Sequence, residues 1–315
     1  MNLRCFISLL SLTLLVNCQK KESKKQVETP KEPFFVVLGV AQDAGYPQIA
    51  CEKRCCEKTR VNSKFERMVS CIGLVDPISN ESWIFDATPD FTEQAELLSI
   101  YTPNKTIPDG VFLTHGHIGH YTGIMYLGRE AMSANKTPVY AMPRMLDYLT
   151  NNGPWGQLVT NKNIELKPLA KDSPQVLNNR ISVIPLEVPH RDEYTETVGF
   201  EVHYNEKKAL FIPDIDKWEK WERSITDYIK KVDIAFLDAT FFKNGEINRD
   251  MSEVPHPFVE ESMKLFSQLS VKDKNKVHFI HFNHTNPLLD ESSEAFKTVL
   301  ENNFKVAVEK SIVAF

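Results

Sequence analysis

The sequence predicts an α+β protein built from two mixed β-sheets packed face to face, with helices on their outer sides as a four-layer αββα sandwich. Short β-rich runs come in clusters: "FFVVLGV", "MVSCIGLVD", "SWIFDA" and "DGVFLT" early in the chain, and "RISVIPLEV", "TVGFEVHY", "KALFIPD", "VDIAFLDA" and "KVHFIHF" late. "TPVYA" lies between the clusters and "KVAVEKSIVAF" closes the chain. Helical patterns near 92–100, 120–133, 143–150, 217–230, 256–270 and 290–303 fall between clusters instead of after every strand. That spacing argues against a doubly wound parallel sheet. Apolar residues make up 42% of the 315, enough to bury a sizeable core.

The first residues, "MNLRCFISLLSLTLLVNCQKK", hold one arginine, an apolar run, and a cysteine followed by lysines. The run is shorter than the roughly 20 residues a spanning helix needs, so it reads as a secretory signal. "LVNC" resembles a bacterial lipobox, with Asn17 where that pattern has glycine or alanine, and implies lipidation of Cys18. Residues 1–18 are thus expected to be a signal peptide, the polar "QKKESKKQVETPKEP" of 19–33 a solvated tether, and 34–315 a single domain. An exported lipoprotein follows, periplasmic or at the cell surface, touching the membrane through its lipid anchor alone. The net charge of −5 is spread along the chain with no basic face, which excludes nucleic acid and leaves a small-molecule substrate as the expected partner.

Chemistry concentrates in "THGHIGH", which places His115, His117 and His120 directly after an apolar strand. Neutral imidazole gives one nitrogen to a metal while the other is held by an acceptor, and the glycines let a tight loop turn these side chains inward. Later strand ends supply further candidate donors: His190 in "VPHRD", Asp214 and its competitor Asp216 in "LFIPDID", and His281 and His284 in "FIHFNHTNP". Four cysteines lie beyond the signal, Cys51, Cys55, Cys56 and Cys71, three of them in "CEKRCC". Export favours disulfides, whereas the spacing also suits zinc, and both readings stay open.

The histidine loop resembles H-x-H-x-D-H of the metallo-β-lactamase superfamily, with Gly119 in place of the aspartate. Over roughly residues 35–315 the chain resembles the pyrroloquinoline quinone biosynthesis protein B (PqqB-like) family within that superfamily. The likeness is carried in order by "VVLGVAQDAGYPQIAC", "FDATPDFTEQ", "HIGHYTGIMYLGRE", "VPHRD", "VDIAFLDATFF" and "FIHFNHTNPLLD". It implies the metallo-β-lactamase sandwich, with metal at one edge of the two sheets. Carried over by position, one ion would sit on His115, His117 and His190, and a second on His120 and His281, with Asp214 bridging in preference to Asp216, because "LFIPD" resembles the family's strand ending in Gly-Asp. His284 stands where the family has asparagine and is expected to replace the carboxylate lost at Gly119; a single-ion site is the alternative. Asp86 would orient the histidine loop by hydrogen bonding. The family's cysteine-rich zinc knuckle is C-x-C-x2-C, against C-x3-CC here, with Cys71 the candidate fourth member. Asp43, in the turn Asp43-Ala-Gly45-Tyr-Pro47, is expected to border the substrate pocket, touching substrate or only closing the turn.

Zinc, as one or two ions, is the expected cofactor, with iron or manganese chemically possible. Such a site activates water against an ester, lactone, amide or phosphodiester. Asp238 and His256 resemble the carboxylate–histidine pair that donates a proton to the leaving group in the superfamily's tRNA-processing and phosphodiesterase branches. The sequence therefore predicts an exported metal-dependent hydrolase. Its alternatives are a PqqB-like role, an iron-dependent oxygenase, a true β-lactamase, or a binding protein whose metal site has decayed.

Overall fold

The computed structural model describes residues 29–315; the expected signal peptide, Cys18 and most of the expected tether lie outside them. In chain order the strands are β1 (Phe34–Gly39), β2 (Cys71–Asp76), β3 (Glu81–Phe85), β4 (Gly110–Phe112), β5 (Thr137–Ala141), β6 (Ile164–Pro168), β7 (Gln175–Val176), β8 (Ile181–Glu187), β9 (Val198–Tyr204), β10 (Lys207–Ile212), β11 (Ile234–Asp238), β12 (Val277–Ile280), β13 (Lys305–Val306) and β14 (Ile312–Ala314). They form two seven-stranded sheets, ordered β14-β1-β2-β3-β4-β5-β6 and β13-β12-β11-β10-β9-β8-β7. Both mix parallel and antiparallel pairs. The helices are α1 (Arg54–Val61), α2 (Phe91–Ser99), α3 (Ile118–Tyr121), α4 (Pro143–Asn151), α5 (Trp155–Thr160), α6 (Ile225–Lys231), α7 (Val259–Leu265), α8 (Val271–Lys274) and α9 (Glu294–Glu301).

Strand alternation explains the layers. On β1, Phe35 and Val37 face the second sheet, while Phe34, Val36 and Leu38 pack outward with Ala95 and Leu98 of α2. Both faces are covered, so "FFVVLG" is apolar throughout. Between the sheets the core is aromatic: Phe200 of β9 meets Phe85 and Phe112 edge-on at centroid distances of 5.5 Å, and Phe35 meets Phe236 at 5.7 Å.

The predicted α+β sandwich is therefore the observed one, with differences inside it. The pattern at 120–133 becomes the four-residue α3 and a 3₁₀ stretch, Thr122–Leu127. Gly123 is pressed against the chain after β3, where a Cβ would stand 2.1 Å from the Thr88 carbonyl oxygen. The pattern at 217–230 breaks because the Ser224 side chain accepts from Asp227 N and starts α6 afresh. "KVAVEKSIVAF" divides between β13 of one sheet and β14 of the other. α1, α5, α8, β6 and β7 were not anticipated, since none carries a long periodic signal. Among the described residues no helix is long and apolar enough to cross a membrane.

Phe200 is fully buried where the two sheets meet. Phe200→Ala should lower stability by about 3–5 kcal/mol, read as a lower urea midpoint with an unchanged slope.

Candidate metal centre

The donor residues meet because their strands end at one rim. β10, β11 and β12 are parallel, and β8 is returned to the same direction by two antiparallel pairings through β9. Their C-terminal ends carry Asp214, Asp238, His281 and His190; β4, parallel to β3, delivers His115. Backbone bonds join the two sheets there: Val198 N donates to Thr114 O at 3.0 Å, Phe282 N to Val40 O at 2.7 Å and Gln42 N to Phe282 O at 2.8 Å. Gly116 N donates to Thr195 Oγ1 at 2.8 Å, tying the histidine loop to the segment that bears His190.

Two four-membered sets of donors result, His115, His117, His190 and Asp214, and Asp43, His120, Asp214 and His281, with a smaller one, Asp238, His256 and His281, beside them; within each set, one donor atom per residue lies within 4.8 Å of the others. Asp214 belongs to both four-membered sets. Its Oδ2 lies 3.4 Å from His115 Nε2 and 3.7 Å from His120 Nε2, and its Oδ1 lies 3.3 Å from His190 Nε2. Asp43 Oδ1 is 2.9 Å from His120 Nε2 and 3.3 Å from His281 Nε2. Asp216, the competitor of Asp214, points away and accepts from Lys220 Nζ at 2.8 Å.

The hydrogen-bond network assigns the imidazole tautomers. Buried Asp86 accepts from Thr114 N at 2.8 Å and Thr114 Oγ1 at 2.9 Å, and from His120 Nδ1 at 2.7 Å. Thr114 Oγ1 in turn accepts from His115 Nδ1 at 2.9 Å, and Thr240 Oγ1 accepts from His281 Nδ1 at 2.9 Å. Each bond turns Nε2 toward the site, where His115 Nε2 lies 2.9 Å from His117 Nδ1 and His120 Nε2 lies 2.9 Å from Asp43 Oδ1. Asp86 and His281 both adopt left-handed backbone, with φ of 71° and 70°, which turns them back from their strands.

Burial pushes the His115 and His190 imidazoles below their ordinary range and His117 down to about 4, so these three are neutral. Burial also opposes charge on His120, but Asp86 and Asp43 outweigh it and hold that imidazole well above its ordinary value. Five buried atoms here have no hydrogen-bond partner: His117 Nε2, both ring nitrogens of His190, Asp214 Oδ1 and His281 Nε2. Asp214 Oδ1 and His281 Nε2 do have polar neighbours at 3.2–3.3 Å, but not in line for a hydrogen bond. An orphaned buried group costs about 1–3 kcal/mol, so five on one rim are the mark of a site shaped around a cation. The residues present fit a metal ion.

The cysteines divide differently from expectation. Cys51, Cys55, Cys56 and His284 form a separate set. Cys51 Sγ and Cys55 Sγ are 3.8 Å apart, and His284 Nδ1 lies 3.6 Å from Cys55 Sγ and 3.5 Å from Cys56 Sγ. With Zn–S of about 2.3 Å and Zn–N of about 2.0–2.1 Å, a tetrahedron sets S···S edges of about 3.8 Å and S···N edges of about 3.5–3.6 Å. The adjacent Cys55 and Cys56 both take part, and all four cysteines of the domain are free thiols, not disulfides. Two expectations are corrected here. His284 does not replace the carboxylate missing at Gly119, because the loop after β12 carries it toward the cysteines. Cys71 is not the fourth member, because β2 buries it on the outer side of its sheet, with Sγ 3.4 Å from the Asp86 carbonyl oxygen.

His256 Nδ1 lies 2.9 Å from Asp238 Oδ2 and 3.2 Å from Asp214 Oδ1. Burial opposes its charge, yet the two carboxylates outweigh burial and push its pKa up to about 10. His256 lines a cavity of about 760 Å³ together with Arg191, Arg249, Asp250, Glu253 and Asn283. A larger cavity of about 940 Å³, between Arg67, Asp90 and Glu309, contains none of these donors. Asp43 is the residue that sequence reasoning underrated. Its signal was an acidic residue directly after the first strand in a chain that lacks one at position 119.

A model of the β-lactamase superfamily domain matches residues 83–282. Coenzyme PQQ synthesis protein B of Methylococcus capsulatus is 24% identical over 303 residues, covering 87% of this chain and 97% of its own, and its Xanthomonas euvesicatoria counterpart is 24% identical over 307. Among solved structures, Zn(2+)-bound PqqB from Methylobacterium extorquens superposes with a TM-score of 0.76 at 20% identity, over 90% of this chain and 100% of that one. A diphosphatase of the PhnP family reaches 0.64 at 20% identity, over 90% and 97%.

Protein purified without chelator should lose one metal equivalent on Cys56→Ala or His284→Ala, with a lower thermal midpoint, and none on Cys71→Ala. Elemental analysis of the three variants checks this.

Proposed function

Since the chain belongs to the β-lactamase superfamily, we propose that it is a metal-dependent hydrolase of a small anionic ester, a phosphodiester ahead of a lactone or amide, with zinc as its metal. The observation that carries this reading is the convergence of two histidine sets on one shared carboxylate, Asp214, beside the His256–Asp238 pair. His115, His117 and His190 would hold one ion, and His120 and His281 a second, with Asp214 between them. Bound there, the metal would supply a water acidified to a pKa near ~7 and polarise the substrate oxygen.

The rest falls to the protein's own groups. The neutral imidazoles of His115, His117 and His190 are ready donors, since no proton has to leave before they ligate. The Nδ1–H of His256 is engaged by Asp238, which leaves Nε2 as the atom that gives a proton to the leaving oxygen. Arg191 and Arg249 line the same cavity and suit phosphate oxygens, whose planar pairs match a guanidinium. Asp250 and Glu253 share that wall, which favours a singly charged diester over a doubly charged monoester.

A second reading, a role like that of the coenzyme PQQ synthesis proteins, is favoured by their likeness over 87% of this chain. Export and lipidation at Cys18 belong to the same proposal and rest on the N-terminal sequence alone.

Purified protein should turn over a chromogenic phosphodiester such as bis(p-nitrophenyl) phosphate faster than a lactone or nitrocefin, lose that activity to chelator and regain it with zinc. His256→Ala should lower kcat by about 10²–10⁴-fold with the metal content of the rim retained. A zinc-loaded protein inert toward all three substrates overturns the hydrolytic reading, and iron in place of zinc redirects it to oxygen chemistry.

A further inference from the structure

Gly119 and Asp43 occupy one another's space. A Cβ placed on Gly119 would stand 2.6 Å from Asp43 Cα, 2.7 Å from its Cβ and 2.8 Å from its Cγ. Those are backbone and branch-point atoms, not the tip of a flexible chain, so no side chain fits at 119 while Asp43 stays where it is. The backbone does not call for glycine there: residue 119 lies inside α3, and its φ is not in the left-handed region. The glycine is needed for room.

The room is filled by a carboxylate arriving from another part of the chain. Asp43 leaves β1 in a turn closed by Gly45 N donating to Gln42 O at 2.9 Å, and Ala41 is bridged to both Val69 and Phe282. This pinned turn sets Asp43 Oδ1 between His120 Nε2 at 2.9 Å and His281 Nε2 at 3.3 Å. Asp43 thus faces the two imidazoles that a carboxylate at 119 would have joined.

We propose that the carboxylate ligand of the second metal ion has been transposed from position 119 to Asp43, so that the rim holds two ions and Gly119 is the vacated place. The proposal rests on the metal-binding reading above and deepens it, because Asp43 replaces what Gly119 lacks with the same hard anionic donor. The two positions are then interchangeable only as a pair.

The test is metal content per chain by elemental analysis of chelator-free protein loaded with zinc, with thermal midpoints recorded alongside. The Cys51, Cys55, Cys56, His284 set serves as a constant reference of one ion. The full chain should carry three zinc ions. Asp43→Ala should carry two, and Asp43→Asn, which keeps the shape without the charge, should also carry two while remaining folded. Gly119→Asp alone should lower the thermal midpoint and gain no metal, because its side chain collides with Asp43. The double variant Asp43→Gly with Gly119→Asp should return to three ions and to a midpoint above either single change. Asp43→Asn with all three ions overturns the transposition, as does a double variant no richer in metal than Asp43→Asn. A parent protein with one rim ion overturns the transposition alone, and one with none overturns the metal-binding reading as well.

Discussion

A single buried carboxylate organises the rim. Asp214 is 3% exposed and stands within 3.2–3.7 Å of nitrogens from His115, His120, His190 and His256. Burial opposes charge on this carboxylate, but the charged His256 imidazole beside it and the nearby His115 nitrogen outweigh burial and hold the group well below the usual carboxylate range. The same anion keeps the surrounding imidazoles together. Remove it and the two histidine sets lose the only side chain they share.

The scaffold accounts for how so many donors reach one point. Parallel strand ends supply position, and two left-handed residues supply direction, since Asp86 and His281 turn back sharply from β3 and β12. Asp86 then works on both sides of the histidine loop, through Thr114 to His115 and directly to His120. Thr240 plays the matching part in the second sheet, donating to Asp238 at 2.8 Å while accepting from His281. An unsatisfied member of a buried network is costly, and among the described residues five of the ten buried side-chain atoms without a partner belong to this one rim.

The cysteine set and the rim are mechanically joined. His281 and His284 lie on one loop, and Asp43 and Cys51 on another; these two loops meet through the Ala41–Phe282 bridge. A metal clamp on Cys51, Cys55, Cys56 and His284 would therefore stiffen the segments that aim Asp43 and His281. This gives the departure from C-x-C-x2-C a physical sense. Cys55 and Cys56 sit in the first turn of α1, where successive side chains fan apart, so neighbours in sequence can approach one ion from different sides.

By itself the sequence determined the layered α+β architecture, because apolar runs of strand length announce which segments are buried on both faces. It also made the histidine loop, His190 and Asp214 legible as candidate donors by their places after apolar strands, while Asp86 and the Asp238–His256 pair were legible only through the resemblance to the superfamily. Only the tertiary structure decided which donors share a set. His284 looked like a partner of His281 because it lies close in the chain, yet the turn after β12 sends it to the cysteines. Cys71 looked like a fourth thiolate, yet strand alternation faces it to the opposite side of β2. Asp43 and Gly119 are far apart in sequence, and their exchange shows only as two side-chain volumes that cannot coexist. Local patterns record burial and turn chemistry; which distant atoms converge depends on strand order and direction across both sheets, and no local pattern carries that.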